Sequence, residues 1–437
     1  MQQQNNTAQY TSIFILIAGI STVGLIVPRH ETLPLGLAYF SAFFGYFWLC
    51  KFPPAQSATF TVGLASRLLL FIGLPMLSDD IYRFIWDGAL IHHGMSPFAE
   101  LPSTIATKEA MPSGLSYELY EKLNSKEYFA IYPPLNQFIF WLSAWLGDDI
   151  WLVSANVIRF FLLVGDLTTY FFIRKILKSS GHEVDRANWY WLNPLVILEG
   201  VGNLHFELLV VTFMVIGIYY FKQSSYWKSG IGFGLAIATK LLPLIYLPAL
   251  LFRKDFKSGL TTTMIAGILG VVSFLPMIDA ALIESMSSSL GLYFQKFEFN
   301  ASIYFLLREI GFWVKGYNII GTLGPALSIV TLFAILVMAW IGKKRQWSIE
   351  EIMLWSLTIY LALATTVHPW YIIPLIMLGV LTKYWFPIIW SLLIFVTYFG
   401  YTSTGFELSA GWLVLEYTVV LSVLIIETVK KSNAKNS

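Results

Sequence analysis

Charge is what this chain lacks most. Asp, Glu, Lys and Arg make up 12% of its 437 residues, where a soluble domain carries about 25%. With 57% of the residues hydrophobic, a soluble core of this length could not hide the apolar surface. Cysteine is nearly missing too. Cys50 stands alone, which excludes an intrachain disulfide and suits a small apolar filler. A net charge of +2 gives no electrostatic pull on nucleic acid, so none is expected as a partner. The sequence has no nucleotide-binding loop, no repeat of fixed period and no low-complexity tract. Met1–Tyr10 is polar without the basic patch of a cleaved signal, so the first apolar run is expected to stay as an anchor.

What is present is apolar length. Runs near twenty residues read as spans, and helices are the spanning element because lipid cannot satisfy open backbone groups. The runs are 11–27, 34–50, 58–77, 151–173, 187–203, 204–221, 229–252, 260–277, 317–341, 349–366, 370–382, 384–400 and 409–429. The expected fold is therefore all-α: one polytopic membrane helix bundle over 1–437, with about 12–13 transmembrane helices and short helices in its outer loops. The run 134–147 is taken as non-spanning. Basic residues set the orientation. Lys51, the cluster Arg174, Lys175 and Lys178, the cluster Arg253, Lys254 and Lys257, Lys343–Arg345, and Lys430, Lys431 and Lys435 are placed in the cytoplasm. Residues 78–133 and 278–316 then form two large extracytoplasmic loops. The run 229–252 has basic residues at both ends, which predicts two half-helices turning near Lys240.

The first large loop opens with Ser78-Asp79-Asp80-Ile81-Tyr82-Arg83. Two adjacent carboxylates where an apolar run leaves the bilayer are costly unless paired or used. A carboxylate there can serve as general base for a hydroxyl nucleophile, or the same residues can cap a helix. Arg83 can pair with a phosphate or snorkel. Trp86 reads as a loop anchor, and Asp87 before Gly88 as a turn. Glu199, His205 and Glu207 end apolar runs, and Asn203, His205 and Glu199 suit recognition of acceptor hydroxyls. Asp166 and Arg159 lie inside a span and could pair across two helical turns. Lys240 needs an anion or a cavity, and a lipid-linked phosphate would suit it. His368 stands at the outer end of a span beside Trp370 and Tyr371. No cofactor is expected, and no third spaced histidine accompanies His205 to make a metal site.

The string Ser-Asp-Asp-Ile-Tyr-Arg-Phe-Ile-Trp-Asp-Gly-Ala, followed by Gly94-Met-Ser-Pro97-Phe98, resembles the first outer loop of GT-C glycosyltransferases. It is similar to that of bacterial polyprenol-phosphate-mannose-dependent mannosyltransferases and of the first GPI mannosyltransferase. The family's Asp-x-Asp becomes Asp79-Asp80-Ile81 here. Four further fragments resemble the family in order: Tyr132-Pro-Pro-Leu135, Leu192-Asn-Pro…Glu199 with Asn203-Leu-His205, Thr239-Lys240-Leu-Leu-Pro243, and His368-Pro-Trp-Tyr371.

The resemblance implies an inverting glycosyltransferase of GT-C type in the bacterial inner membrane, acting on the extracytoplasmic face. It implies a polyprenyl-phosphate-linked sugar as donor, with mannose as the sugar, and a glycan or lipid-linked hydroxyl as acceptor. Asp79 is implied as the base, with Asp80 as runner-up. Arg83, Asp87, Tyr132, Glu199, Asn203, His205, Lys240, His368, Trp370 and Tyr371 are the expected substrate-binding residues. The rival readings are a multi-helix secondary transporter, with Arg159, Asp166, Glu199, His205 and Lys240 as an ion path, and a lipid-linked-sugar flippase.

Overall fold

The computed structural model describes residues 2–108, 111–252, 255–278, 281–285, 288, 291 and 296–436. Arg253 and Lys254, expected in a cytoplasmic cluster, lie outside these residues. The chain is mostly helical, and among the described residues the only strands are the two-residue pair Tyr401–Thr402 and Gly405–Phe406.

The helices run α1 (Gln2–Leu25), α2 (Thr32–Lys51), α3 (Gln56–Leu68), α4 (Asp80–His92), α5 (Pro102–Ala106), α6 (Tyr117–Lys122) and α7 (Pro134–Gly147). Then come α8 (Trp151–Ser179), α9 (Asn188–Trp191), α10 (Glu207–Lys222), α11 (Tyr226–Thr239), α12 (Leu247–Leu251) and α13 (Phe256–Ser273). The last are α14 (Ile303–Lys315), α15 (Ile320–Lys344), α16 (Ile349–Leu363), α17 (Ile373–Thr382), α18 (Phe386–Leu393) and α19 (Ala410–Asn436).

Among the described residues, six helices are long and apolar enough to cross a membrane alone: α1, α2, α8, α13, α15 and α19. About 12–13 transmembrane helices are expected from the sequence; the bent pair of Val196–Gly202 and α10 makes a seventh candidate span. The other runs fold as shorter or interrupted apolar helices. Residues 58–77 give α3 and a 3₁₀ turn over Leu69–Ile72, which ends at extended Gly73. The runs 187–203 and 204–221 become a π-helical turn, Val196–Gly202, bent by 110° against α10. The half-helix expectation for 229–252 holds in outline: α11 stops at Lys240, whose backbone is extended, and a 3₁₀ turn at Leu242–Tyr246 leads into α12. Residues 134–147 form the fourteen-residue α7, whose Pro134 sits where a helix start has no N–H to lose.

Two arginines buried in the bundle fix its packing. Arg67 Nε donates to Asp166 Oδ2 at 2.6 Å, with both side chains fully buried, and Tyr190 donates to Asp166 Oδ1 at 2.8 Å. Arg159 donates instead to the carbonyls of Gly73, Val201 and Gly202. The expected Arg159–Asp166 pair does not form, because each residue finds a nearer partner on another element.

The bundle has two chemically different ends. At one, Lys431 donates to the Thr382 carbonyl, Arg186 donates to that of Val380, and Glu427 caps the start of α18. At the other, α17 is preceded by His368 and the 3₁₀ turn Pro369–Ile372. Helix α19 has 27 residues, roughly 40 Å at 1.5 Å each, and starts beside the 401–406 strand pair. The lysine-rich tail and His368 therefore lie at opposite ends.

Candidate active site

This second end gathers residues from several loops. Asn203 sets the first large loop in place: its Oδ1 accepts from Leu77 N at 3.2 Å, while its Nδ2 donates to Glu199 Oε2 at 3.3 Å. Leu204 then takes a positive φ of 66°, a conformation a bulky residue rarely adopts and one that clusters at functional sites. This turn, next to the π-helical segment, aims His205 back over Glu199. His205 Nδ1 contacts the Glu199 carbonyl at 2.9 Å and Glu199 Oε2 at 3.1 Å. Both partners are acceptors, so the Nδ1 proton is assigned from them. Tyr398 donates to Glu199 Oε1 at 2.6 Å and completes the buried carboxylate's shell.

His205 Nε2 is buried and has no hydrogen-bond partner among the described residues. It faces Asp80 Oδ2 at 4.0 Å. Asp80 accepts from Asn124 Nδ2 at 2.8 Å and from the Tyr132 hydroxyl at 3.3 Å. Burial, reinforced by the Asp80 charge, pushes the Tyr132 phenol well above its ordinary range, so it stays a donor. Asp79 has a different partner: Arg29 Nη2 at 2.5 Å. Asp79 occupies the cap position of α4, but its side chain caps nothing.

Four rings form one wall. Trp370 stacks on His205 with centroids 3.6 Å apart and on His368 at 4.4 Å. Phe299, from the second large loop, lies against His368. Lys240 pairs with Glu207, and its ammonium lies 4.2 Å from the centre of the Tyr371 ring.

Asp79, Asp80, Tyr132, Glu199, Asn203, His205, Lys240, His368, Trp370 and Tyr371 thus come together from a sequence span of nearly 300 residues. Arg83 and Asp87 do not line the opening. Arg83 is buried and donates to Asp87 at 2.7 Å, to Ser125 and to the Tyr128 carbonyl. Asp87 is fully buried inside α4, not at a turn as expected. Burial raises its carboxyl above the usual range against the opposing pull of Arg83. The pair ties α4 to the end of the first loop and supports the site from behind. Sequence reasoning missed Arg29, Asn124, Tyr398 and Tyr401. Arg29 carried one usable signal, a cation in a short turn between two apolar runs. Among the described residues, no group of three or more His, Cys, Asp or Glu side chains is arranged to hold a metal ion.

Fold and site define a multi-pass helical membrane protein with a cluster of carboxylates, His205 and Lys240 at one end of the bundle. Residues 45–253 match the family described as "Alpha-(1->6)-mannopyranosyltransferase, N-terminal domain". The chain is 26% identical over 207 residues to alpha-(1->6)-mannopyranosyltransferase A of Mycobacterium tuberculosis, covering 45% of this chain and 36% of that protein. It is 24% identical over 201 residues to the protein of that name from Corynebacterium glutamicum, covering 43% and 38%. A third similarity, 29% over 129 residues, is to GPI mannosyltransferase 1 of Debaryomyces hansenii, covering 28% of this chain and 30% of that one. The matches therefore span 30–38% of the length of these relatives, and all three relatives are named mannosyltransferases. No solved structure matches.

Proposed function

We propose that the protein is an inverting mannosyltransferase that moves the sugar from a polyprenyl-phosphate donor to a hydroxyl acceptor, a glycan or another lipid-linked sugar, on the extracytoplasmic face. The observation that carries this is the gap between Asp80 Oδ2 and His205 Nε2, 4.0 Å wide. Two such atoms are too far apart to bond to each other, yet one hydroxyl oxygen can reach both. In the reaction the acceptor oxygen bonds to the anomeric carbon, the bond from that carbon to the phosphate oxygen breaks, and the acceptor proton passes to Asp80. The His205 ring, held in place by Glu199, packs beside that hydroxyl, and Tyr398 fixes the Glu199 carboxylate. A single inversion needs one carboxylate, unlike the two of glycosidases.

Asp80 is preferred to Asp79 because Asp80 Oδ2 is the oxygen that faces His205 Nε2, while Asp79 is turned towards Arg29. For the lipid of the donor, an apolar groove of about 260 Å³ lies beside the site between Leu244, Ile245, Pro248, Thr331, Ile335 and Tyr360. Thr365 also lines the groove and accepts from Phe299 N at 3.2 Å, and Phe299 lies against His368, so the groove leads towards the aromatic wall of the site. The opposite, lysine-rich end supports the outward face by the positive-inside rule. A transporter reading loses its ion path, since Arg159 and Asp166 are fixed by separate structural partners.

The test is transfer of labelled mannose in membranes from a panel of polyprenyl-phosphate sugars. Transfer from polyprenyl-phosphate mannose that disappears in Asp80→Asn supports the proposal. Uptake of a solute into liposomes with no transfer would overturn it.

A further inference from the structure

The site contains two cations, and a carboxylate holds each: Lys240 is on Glu207 and Arg29 on Asp79. They are not equivalent. The Glu207 side chain is 4% exposed, and removing Lys240 would strand a buried carboxylate, a strongly unfavourable change. The Arg29 and Asp79 side chains are 30% and 38% exposed. An ion pair so open to water contributes little and exchanges readily.

Arg29 is also set up to receive an anion. It sits in the turn between α1 and α2, which Glu31 N closes onto the Pro28 carbonyl at 3.0 Å. Its guanidinium lies 4.8 Å from the centre of the Tyr401 ring. Burial pushes the Tyr401 phenol up to about 12, so the ring stays neutral and offers its face to the cation. The guanidinium has five N–H donors, and the Asp79 contact is through Nη2. A planar fork of this kind matches phosphate oxygens better than a lysine ammonium does.

We propose that Arg29 is the principal ligand of the donor phosphate, exchanging Asp79 for that phosphate when the lipid-linked sugar binds while Lys240 stays on Glu207. The inference rests on the donor reading above. Arg29 lies outside residues 45–253, so the family match does not cover it. Because Asp79 immediately precedes Asp80, a phosphate taken up by Arg29 arrives beside the acid that receives the acceptor proton.

The test is calorimetric binding of a polyprenyl monophosphate to the full chain in nanodiscs, with inorganic phosphate as a second probe. Wild type binds the lipid phosphate and binds inorganic phosphate far more weakly. Arg29→Gln weakens lipid-phosphate binding by about 10- to 100-fold, as expected for loss of charge-assisted hydrogen bonds. Arg29→Lys falls in between, and Asp79→Asn binds as well as wild type or better, because the competing carboxylate is gone. Thermal unfolding of each variant in the same discs confirms that it is folded. Unchanged binding in folded Arg29→Gln overturns the assignment of Arg29 alone. The same holds if Asp79→Asn reproduces the loss, because Arg29 would then only brace that acid. A wild type that binds neither probe overturns the donor reading itself.

Discussion

Gly88 and Phe140 hold α4 against α7 at a distance that leaves no room for a methyl group: a Cβ on residue 88 would stand 2.1 Å from the Phe140 carbonyl oxygen. This contact is what Asp87-Gly88-Ala89 contributes. The N-terminal end of α4 carries Asp80, and the residue two before α7 is Tyr132. Gly88→Ala must therefore push apart the elements that bring Asp80 to the Tyr132 hydroxyl. The expected outcome is a stability loss of about 1–3 kcal/mol, typical of overpacking, with a fall in kcat larger than any change in acceptor KM. Unfolding midpoints and steady-state transfer kinetics on the same preparation check it.

The two acids should separate cleanly by substitution. Asp80→Asn removes the proton acceptor facing His205 and should lower kcat by about 10²–10⁴, the usual worth of a general base. Asp79→Asn removes only the partner of Arg29 and should lower kcat by less than about tenfold. Transfer assays on the two variants at matched expression decide the order. The reverse ranking would return the base to Asp79.

The Arg67–Asp166 pair is a structural pin with no opening to the site. Arg67→Met leaves Asp166 buried with Tyr190 as its remaining partner, and should cost about 3–5 kcal/mol. Replacing both residues, Arg67→Met with Asp166→Leu, should recover most of that loss. Denaturant titration in detergent measures both. An Asp166→Asn variant that keeps its fold and its transfer rate confirms that the carboxylate takes no part in chemistry.

The second large loop should respond to acid. Burial works against the charge on Glu298, yet hydrogen bonds from Tyr304, Asn318 and Arg308 hold its carboxyl below the usual glutamate range. A folded value below the unfolded one means that the stabilisation is complete above the ordinary value of about 4.3. It is lost as pH falls through the depressed value. Amide exchange over 297–318, corrected for intrinsic rates, should rise as pH drops through that window and not between pH 8 and 6. Glu298→Gln should abolish the pH dependence.

Scarcity of charge and apolar runs of membrane length made the helical class of this protein readable from its sequence, because lipid leaves a spanning backbone few options. The acid pair, His205, Lys240 and Trp370 were legible as well, each by standing where an ionisable or aromatic group needs a reason. Their convergence was not, since residues 80, 205 and 370 share no local periodicity. Only tertiary packing decided which acid meets His205, that Arg83 turns inward to Asp87, and that Arg29 and Tyr401 join the opening. Those pairings depend on how the ends of distant helices meet. A backbone turn at Leu204 and a glycine contact at position 88 set those meetings, and neither leaves a hydropathy signal.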